Sequence, residues 1–319
     1  MDGFERQLTL PRPGLESAID ICEAGVVNCF ECNRVEKCIE PVHGPFEQVV
    51  ARLVDSVAQY AFFDVPKNYP HSPLRYPGGK SRAIKAIYSC IPAKETKLCS
   101  PFLGGGSIEL ACTTRMQVYG YDVFSPLVDF WQVLLDNREL LAKRVERYYP
   151  LSRTKFYSLQ KRYTNLKDKV ERAAAFFVLN RSSFSGTTLS GGMSPGHPRF
   201  TKSAIERLRS FRATNLEVGC ADFRESITKH ADAFLYLDPP YMNGHALYGI
   251  KGDTHKDFNH QELADILHKR ERWIMSYNDC STIRELYGDN PILSLEWVYG
   301  MSKNKQSSEV LILSKDLAI

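Results

Sequence analysis

From Leu74 onward, short apolar stretches alternate with segments whose apolar residues recur every third or fourth position. Lys97–Pro101, Gln117–Tyr121, Ala233–Leu237 and Trp273–Ser276 are short and bounded by turn residues, which predicts strands. Helical spacing falls over Ser81–Ser89, Ser107–Thr114, Pro126–Arg147, Val170–Leu179 and Asn259–Lys269. Strand and helix in alternation predict an α/β domain over residues 73–319, with a mostly parallel sheet covered on both faces. Ile292–Tyr299 and Ser308–Ser314 read as a closing antiparallel hairpin. Ahead of this domain lies an extension over residues 1–72. It ends in one apolar helix face (Phe46, Val49, Val50, Leu53, Val54, Val57, Ala58, Ala61) and a linker marked by Pro66, Pro70 and Pro73. Ser182–Pro198 is rich in Ser, Thr, Gly and Pro and predicts a mobile loop.

Composition changes this picture only where charge is concentrated. The 319 residues are 43% hydrophobic and 24% charged with a net charge of +4, ordinary values for a globular chain with a substantial core. The longest apolar run, Ala173–Leu179, is far shorter than the roughly 20 residues of a membrane span. The first 30 residues lack the charged, apolar, small-residue order of a signal peptide, so the expected location is the cytoplasm. Residues 141–212, however, hold 16 Lys or Arg against 4 acids, while the remainder holds 25 against 33. Such a surplus suits a polyanion on one side of the molecule, and equally a solvated helix face.

Two motifs carry chemistry. The stretch Pro101-Phe102-Leu103-Gly104-Gly105-Gly106-Ser107 lies between a predicted strand and a predicted helix, where glycines let backbone approach a ligand closely. Asp122 ends the next strand, placed to accept hydrogen bonds from ribose hydroxyls, so the pair implies an adenosine-containing cofactor. Leu237-Asp238-Pro239-Pro240-Tyr241 follows the strand Ala233–Leu237. Two prolines cannot continue a strand, so the Asp238 carboxylate and the Pro239 carbonyl are held at the carboxyl edge of the sheet. An amine that donates to both would be fixed with its lone pair directed away from them, and Tyr241 offers a ring face to a flat heterocycle.

The chain resembles the DNA adenine N6-methyltransferases of the Dam-like, or alpha, group. The resemblance covers roughly Pro73 to Ser314 and rests on motif order. Arg75-Tyr76-Pro77-Gly78-Gly79-Lys80 is similar to the family's first cofactor motif, and Pro101–Ser107 to its glycine motif. Asn180-Arg181-Ser182-Ser183-Phe184-Ser185-Gly186 is similar to its Asn-Arg-x-x-Phe-Asn-Gly stretch, with Ser185 where Asn is usual. Asp222-Phe223, Asp238–Tyr241, the series Phe258, His260, Leu263, Leu267, and Ser276-Tyr277-Asn278 continue the order.

That resemblance implies a Rossmann-like S-adenosylmethionine-dependent methyltransferase fold with a helical target-recognition insertion at about 141–212. It implies S-adenosyl-L-methionine at the carboxyl edge, with Tyr76 and Lys80 at its methionine end or adenine side. Phe102, Gly104 and Gly106 would line it, Asp122 would hold the ribose, Asp222 would accept from its adenine amine, and Asp238 would lie close to both cofactor and target. Asp238, Pro239, Pro240 and Tyr241 are the expected catalytic group, acting on an adenine flipped out of double-stranded DNA. Lys155, Lys161, Arg162, Lys167 and Lys169 are expected on phosphates, and Asn180, Arg181 and Arg199 at the DNA face. A restriction endonuclease partner and a place at the nucleoid of a bacterial or phage-infected cell belong to the same expectation.

Other readings are a methyltransferase of an RNA base or of cytosine N4, a catalytically silent DNA-binding regulator, and a nicotinamide-dependent oxidoreductase. Asp at the first position of Asp238–Tyr241 favours adenine, intact Lys80, Asp122, Asp238 and Tyr241 disfavour the silent regulator, and the glycine spacing disfavours the oxidoreductase. Cys22, Cys29, Cys32 and Cys38, with His43 beyond, have one C-x2-C step that suits a structural zinc site; ordinary thiols are the alternative. Cys90, Cys99, Cys112, Cys220 and Cys280 read as small core residues.

Overall fold

In a computed structural model of the chain, residues 65–194, 199–242, 258–298 and 306–317 are described. The cysteines Cys22, Cys29, Cys32 and Cys38 and the apolar helix face from Phe46 to Ala61 lie outside them. In chain order the elements are α1 (Ile84–Tyr88), β1 (Lys97–Ser100), α2 (Ser107–Cys112), β2 (Gln117–Asp122), α3 (Ser125–Glu146), α4 (Arg153–Arg162), α5 (Lys169–Ser182), α6 (Lys202–Ser210) and β3 (Leu216–Cys220). There follow α7 (Phe223–Lys229), β4 (Phe234–Leu237), α8 (His260–Leu267), β5 (Trp273–Asn278), α9 (Ser281–Leu286), β6 (Ile292–Val298) and β7 (Gln306–Leu313).

The seven strands form one sheet in the order β3-β2-β1-β4-β5-β7-β6. Neighbours from β3 to β5 are parallel, while β7 runs antiparallel to both β5 and β6. All four residues of β4 are buried, as a strand with both faces covered must be. The chain builds outward from β1 to β2 and β3, then returns to the other side of β1 for β4 and β5. Order reverses between β1 and β4, and a ligand crevice opens beyond the carboxyl ends of such a pair. Both chemical motifs start there, the glycine loop after β1 and Asp238 after β4.

Helix boundaries follow local chemistry. Ser152, Asp168, Thr201, Asp222 and Asn259 each cap a helix by accepting from a backbone N–H of its first turn. The long helix expected over Pro126–Arg147 is broken: Asn137 has φ −146° and ψ 75°, and its Oδ1 accepts from Leu140 N at 3.0 Å. Asn137 thus ends one helix and caps the next. In α5, residues Ala173–Leu179 are all buried, which fits an apolar run with no polar face, and Phe130 of α3 stacks on Phe177 with ring centroids 5.7 Å apart. Of the cysteines expected in the core, Cys99 and Cys112 are buried, but Cys220 is exposed because it ends the edge strand β3.

Candidate active site

The glycine loop is held from three sides. Gly104 and Gly106 take φ of 47° and 68°, a left-handed backbone that side chains disfavour. Tyr76 lies against the loop so closely that a Cβ on Gly105 would fall 2.9 Å from the Tyr76 Cβ. Trp131 Nε1 donates to Gly104 O at 3.1 Å. Asp122 accepts from Gly104 N through Oδ2 (3.1 Å) and from Phe124 N through Oδ1 (2.9 Å). Burial pushes its carboxyl up to about 6, against the pull of those two N–H groups. Phe102 leans on Phe223 and Phe258, centroids 6.0 and 5.6 Å away, forming an aromatic corner. Asp222, beside that corner, has its Oδ1 engaged by Arg224 N at 2.9 Å and Arg224 Nη1 at 2.8 Å, so it caps α7 and pairs with the helix's own arginine.

At the end of β4, Lys80 meets Asp238 across 158 residues of sequence. Its ammonium, on a side chain only 4% exposed, lies 2.8 and 2.9 Å from the two carboxylate oxygens and donates to Gly78 O at 2.9 Å. It also stands over the Tyr241 ring, 5.1 Å from the centroid. The ammonium expected beside the cofactor is thus held by the nearest carboxylate, which offsets its desolvation. Tyr241 Oη donates to Asp238 Oδ1 at 3.4 Å, and its ring stacks on Tyr277. Burial raises the Asp238 carboxyl above the usual carboxylate range, while Lys80 and then Tyr241 pull it back. Two further buried acids surround this pair. Glu309 Oε2 is 3.9 Å from Lys80 Nζ, and Glu109 accepts from Ser100 Oγ at 2.6 Å with its carboxyl pushed up to about 7 by burial. Sequence reasoning assigned no role to Glu109, Glu309 or Trp131; the only signal was acid or aromatic residues inside otherwise apolar elements.

The basic segment separates into surface and interior. Lys155, Lys161 and Arg162 on α4, Lys167 after it, and Arg199 are exposed. Lys169 is exposed too, but its ammonium is already engaged by Gln132 Oε1 at 2.6 Å and by Asp129 at 3.9 Å. Arg144, Arg172 and Arg209 are likewise paired with Glu171, Asp129 and Glu146 at 2.7–2.8 Å. Asn180, expected at the DNA face, is fully buried. Its Oδ1 accepts from Arg75 N at 2.9 Å, and its Nδ2 donates to Arg75 O (2.8 Å), Gly186 O (3.2 Å) and Thr188 Oγ1 (3.1 Å). Both amide hydrogens and the carbonyl oxygen are engaged inside the fold, so this fully buried side chain ties two segments together and does not stand at a surface where DNA could meet it. Arg181 is also buried and donates to Arg199 O and Pro73 O. Burial, then the charges of Arg207, Arg75 and Arg199, lower its guanidinium to about 10. The expected mobile loop is, up to Ser194, a packed turn: Ser182, Ser183, Thr188 and Leu189 are buried and Ser183 bridges Met193. From it Phe184 projects 58% exposed. A Cβ on Gly186 would fall 1.9 Å from Arg75 O, which only glycine permits.

A glycine loop and an acid at the carboxyl ends of β1 and β2, an Asp-Pro-Pro-Tyr turn at that of β4, and an antiparallel β7 define the Rossmann-like fold of an S-adenosylmethionine-dependent methyltransferase. Residues 76–301 match the family of D12 class N6 adenine-specific DNA methyltransferases, and the chain belongs to that family. Its enzymes methylate N6 of adenine in DNA. Over 245 residues, 70% of this chain, it is 24% identical to a DNA N-6-adenine-methyltransferase of Escherichia phage P1 and 23% identical to a Type II methyltransferase of Lactococcus lactis subsp. cremoris. A Type II methyltransferase of Methanocaldococcus jannaschii is 24% identical over 215 residues, 58% of this chain and 74% of that one. The match spans about a third (32%) of the phage protein's length and 86% of the lactococcal one. Among the described residues, no helix is long and apolar enough to cross a membrane, and no group of three or more His, Cys, Asp or Glu is placed to hold a metal ion.

Proposed function

We propose that this chain transfers the methyl group of S-adenosyl-L-methionine to N6 of an adenine flipped out of double-stranded DNA, with Asp238 and the Pro239 carbonyl as acceptors for the target amine. The observation that carries the reading is the ion pair of buried Lys80 with half-buried Asp238 at the end of β4. Burial raises the Asp238 carboxyl, and Lys80 opposes that rise and so favours the carboxylate form. An ionised carboxylate only accepts, so Asp238 takes one amine N–H, and the Pro239 carbonyl takes the other. The amine nitrogen becomes cationic as it is methylated, and a fixed anion beside it stabilises that charge more than the neutral ground state. Asp238 need not remove the proton early, because the methylated nitrogen is acidic enough to release it afterwards. Tyr241, anchored on Tyr277, offers the face on which the adenine stacks.

The residues present fit the cofactor. Asp122 stands where ribose hydroxyls would donate, the Phe102–Phe223–Phe258 corner suits a purine, and the bare backbone at Gly104–Gly106 leaves room for close approach. When bound, S-adenosylmethionine supplies an electrophilic methyl group on sulfur. The exposed lysines Lys155, Lys161 and Lys167, with Arg162 and Arg199, suit phosphates, and the cluster of Arg75, Arg181, Arg199 and Arg207 favours an anion nearby. Phe184, an exposed ring on the tight turn beside this cluster, has the character of a wedge against a base step. The Type II names of two relatives support a restriction-modification setting with an endonuclease partner, and the absence of a membrane-crossing helix among the described residues agrees with a cytoplasmic enzyme.

The test is expression in a host that lacks adenine methylation, followed by mapping of N6-methyladenine at each position beside an Asp238→Ala control. Methylated adenines in one short context, absent from the control, are the expected result. A folded protein that binds S-adenosylmethionine yet leaves the DNA unmodified would overturn the DNA reading.

A further inference from the structure

The Asp-Pro-Pro-Tyr turn is braced from behind by two side chains that the transfer itself does not use. Tyr277 is buried near the end of β5, and its hydroxyl donates to the Pro240 carbonyl at 2.9 Å. The same hydroxyl is hydrogen-bonded to His260 Nδ1, at the first position of α8. The Tyr277 ring lies under Tyr241, with centroids 5.3 Å apart and planes within 25°.

Proton counting gives this arrangement a direction. A phenol carries one proton, and here it goes to Pro240 O, which has none to give. In the second bond the tyrosine oxygen must accept, so His260 Nδ1 carries the hydrogen. Burial lowers the imidazole below its usual value, so the ring is neutral near pH 7 and its single N–H is the one on Nδ1.

Torsion counting says what the chain of bonds achieves. The rings of Pro239 and Pro240 fix both φ angles near −65°, and a residue that precedes proline is confined to extended ψ, which restrains Asp238 and Pro239. The soft torsion left in the turn is ψ of Pro240. Its value sets the direction of the Pro240 carbonyl and, through the next peptide, the plane of Tyr241.

We propose that His260 Nδ1–H to Tyr277 Oη–H to Pro240 O is a directed hydrogen-bond chain that fixes this torsion, making Tyr277 and His260 positioning residues for methyl transfer. Holding Pro240 O in this way leaves the Pro239 carbonyl as the turn's acceptor for the target amine and sets the tilt of the stacking ring. The proposal rests on the adenine methyltransferase reading above.

Tyr277→Phe keeps the ring and removes the hydroxyl that donates to Pro240 O. With the intact chain, tritiated S-adenosylmethionine and unmethylated bacterial genomic DNA, kcat should fall between about 10- and 100-fold, the scale for misplaced reacting groups. The dissociation constant for S-adenosylmethionine and the melting temperature should stay near the wild-type values. His260→Asn places an amide N–H near the Nδ1 position and His260→Gln places one farther out, so the Asn variant should turn over several-fold faster than the Gln variant. Nitrogen-15 imidazole spectra of the wild-type protein should show the proton on Nδ1 of His260, a readout that does not depend on turnover.

A Tyr277→Phe enzyme with wild-type kcat would overturn the proposal. So would equal damage from the two His260 variants, or a His260 proton found on Nε2. A Tyr277→Phe protein that melts early or loses the cofactor would make Tyr277 a purely structural residue and overturn its positioning role. A wild-type protein that transfers no methyl group would overturn the functional reading and the positioning role with it, while the imidazole spectrum still decides the direction of the chain.

Discussion

The carboxyl edge of β1 and β4 and the segment from α4 to the Gly186 turn use polar residues in opposite ways. At the edge, charge is drawn out of water: Lys80, Glu109 and Glu309 are buried, and Asp238 is half-buried against Lys80. In the segment, the residues with polar contacts throughout, Asn180 and Arg181, are architectural, while the lysines on α4 stand in solvent. Charge removed from water can discriminate between a neutral amine and a cationic one, because little solvent is left to screen it. Charge left in water supplies affinity that any phosphate can claim and that salt weakens. On the proposed function, polar residues therefore serve chemistry in one region and adhesion in the other.

Removing the anion at the edge should have the largest effect. Asp238→Ala is expected to lower kcat by about 10³-fold, in line with the loss of one preorganised electrostatic group, measured by transfer of labelled methyl to DNA. An effect under tenfold would erase the distinction between the two regions. In the other region, Asn180→Ala should act on the fold. It removes the partner of both Arg75 N and Arg75 O and one donor to Gly186 O, and should cost on the order of 3 kcal/mol in urea unfolding. If stability were unchanged and DNA affinity fell instead, Asn180 would belong with the surface lysines.

Glu109 sharpens the comparison through pH. Its carboxyl is raised from 4.5 to about 7 by burial, so the folded state binds a proton that the unfolded state has released between those values. The stability it contributes is therefore present below about pH 4.5 and lost as pH rises through about 7. Glu109→Gln keeps an acceptor for Ser100 and removes the titration. The variant should gain about 3 kcal/mol on the wild type between pH 5 and pH 8, followed by thermal melts. A wild-type difference curve flat over that range would mean that Glu109 stays ionised. The smallest effect is expected on the surface. Replacing Lys155, Lys161 and Lys167 with Gln should flatten the salt dependence of DNA binding by up to about 3 in log–log slope, and Lys169→Gln should do less, because Asp129 and Gln132 already hold that ammonium.

The two regions were also unequally legible. Strands β1, β2, β4, β5 and the closing hairpin stood out as apolar runs between turn residues, because a doubly covered strand must be apolar throughout. Strand β3 was not foreseen: Leu216–Cys220 lies at the edge of the sheet, where Glu217 and Cys220 face solvent and the pattern dissolves. Helix α4 escaped for a related reason, since Phe156 and Leu159 are its only buried residues and its other positions are polar. The placement of Asp238, Tyr241, the glycine loop and Asp122 at the carboxyl edge was legible because each follows directly from or ends its strand. The partner of Lys80 was not, because nothing local says which carboxylate a lysine will meet 158 residues later. Asn180 was misplaced because a motif shared with DNA-binding enzymes shows that a residue matters without saying whether it faces the ligand or the interior.

The strap from Arg75 to Lys80 gains a meaning from what it joins. At one end, Arg75 backbone is clasped by Asn180 and crowded by Gly186, on the turn that carries Phe184; at the other, Lys80 grips Asp238. Six residues thus run from the turn proposed to meet DNA to the proposed acceptor Asp238, with Tyr76 pressed on the glycine loop between them. On the proposed function, free energy that DNA spent in shifting this strap would be felt at the glycine loop, and reciprocity would require the cofactor to return the same amount to DNA.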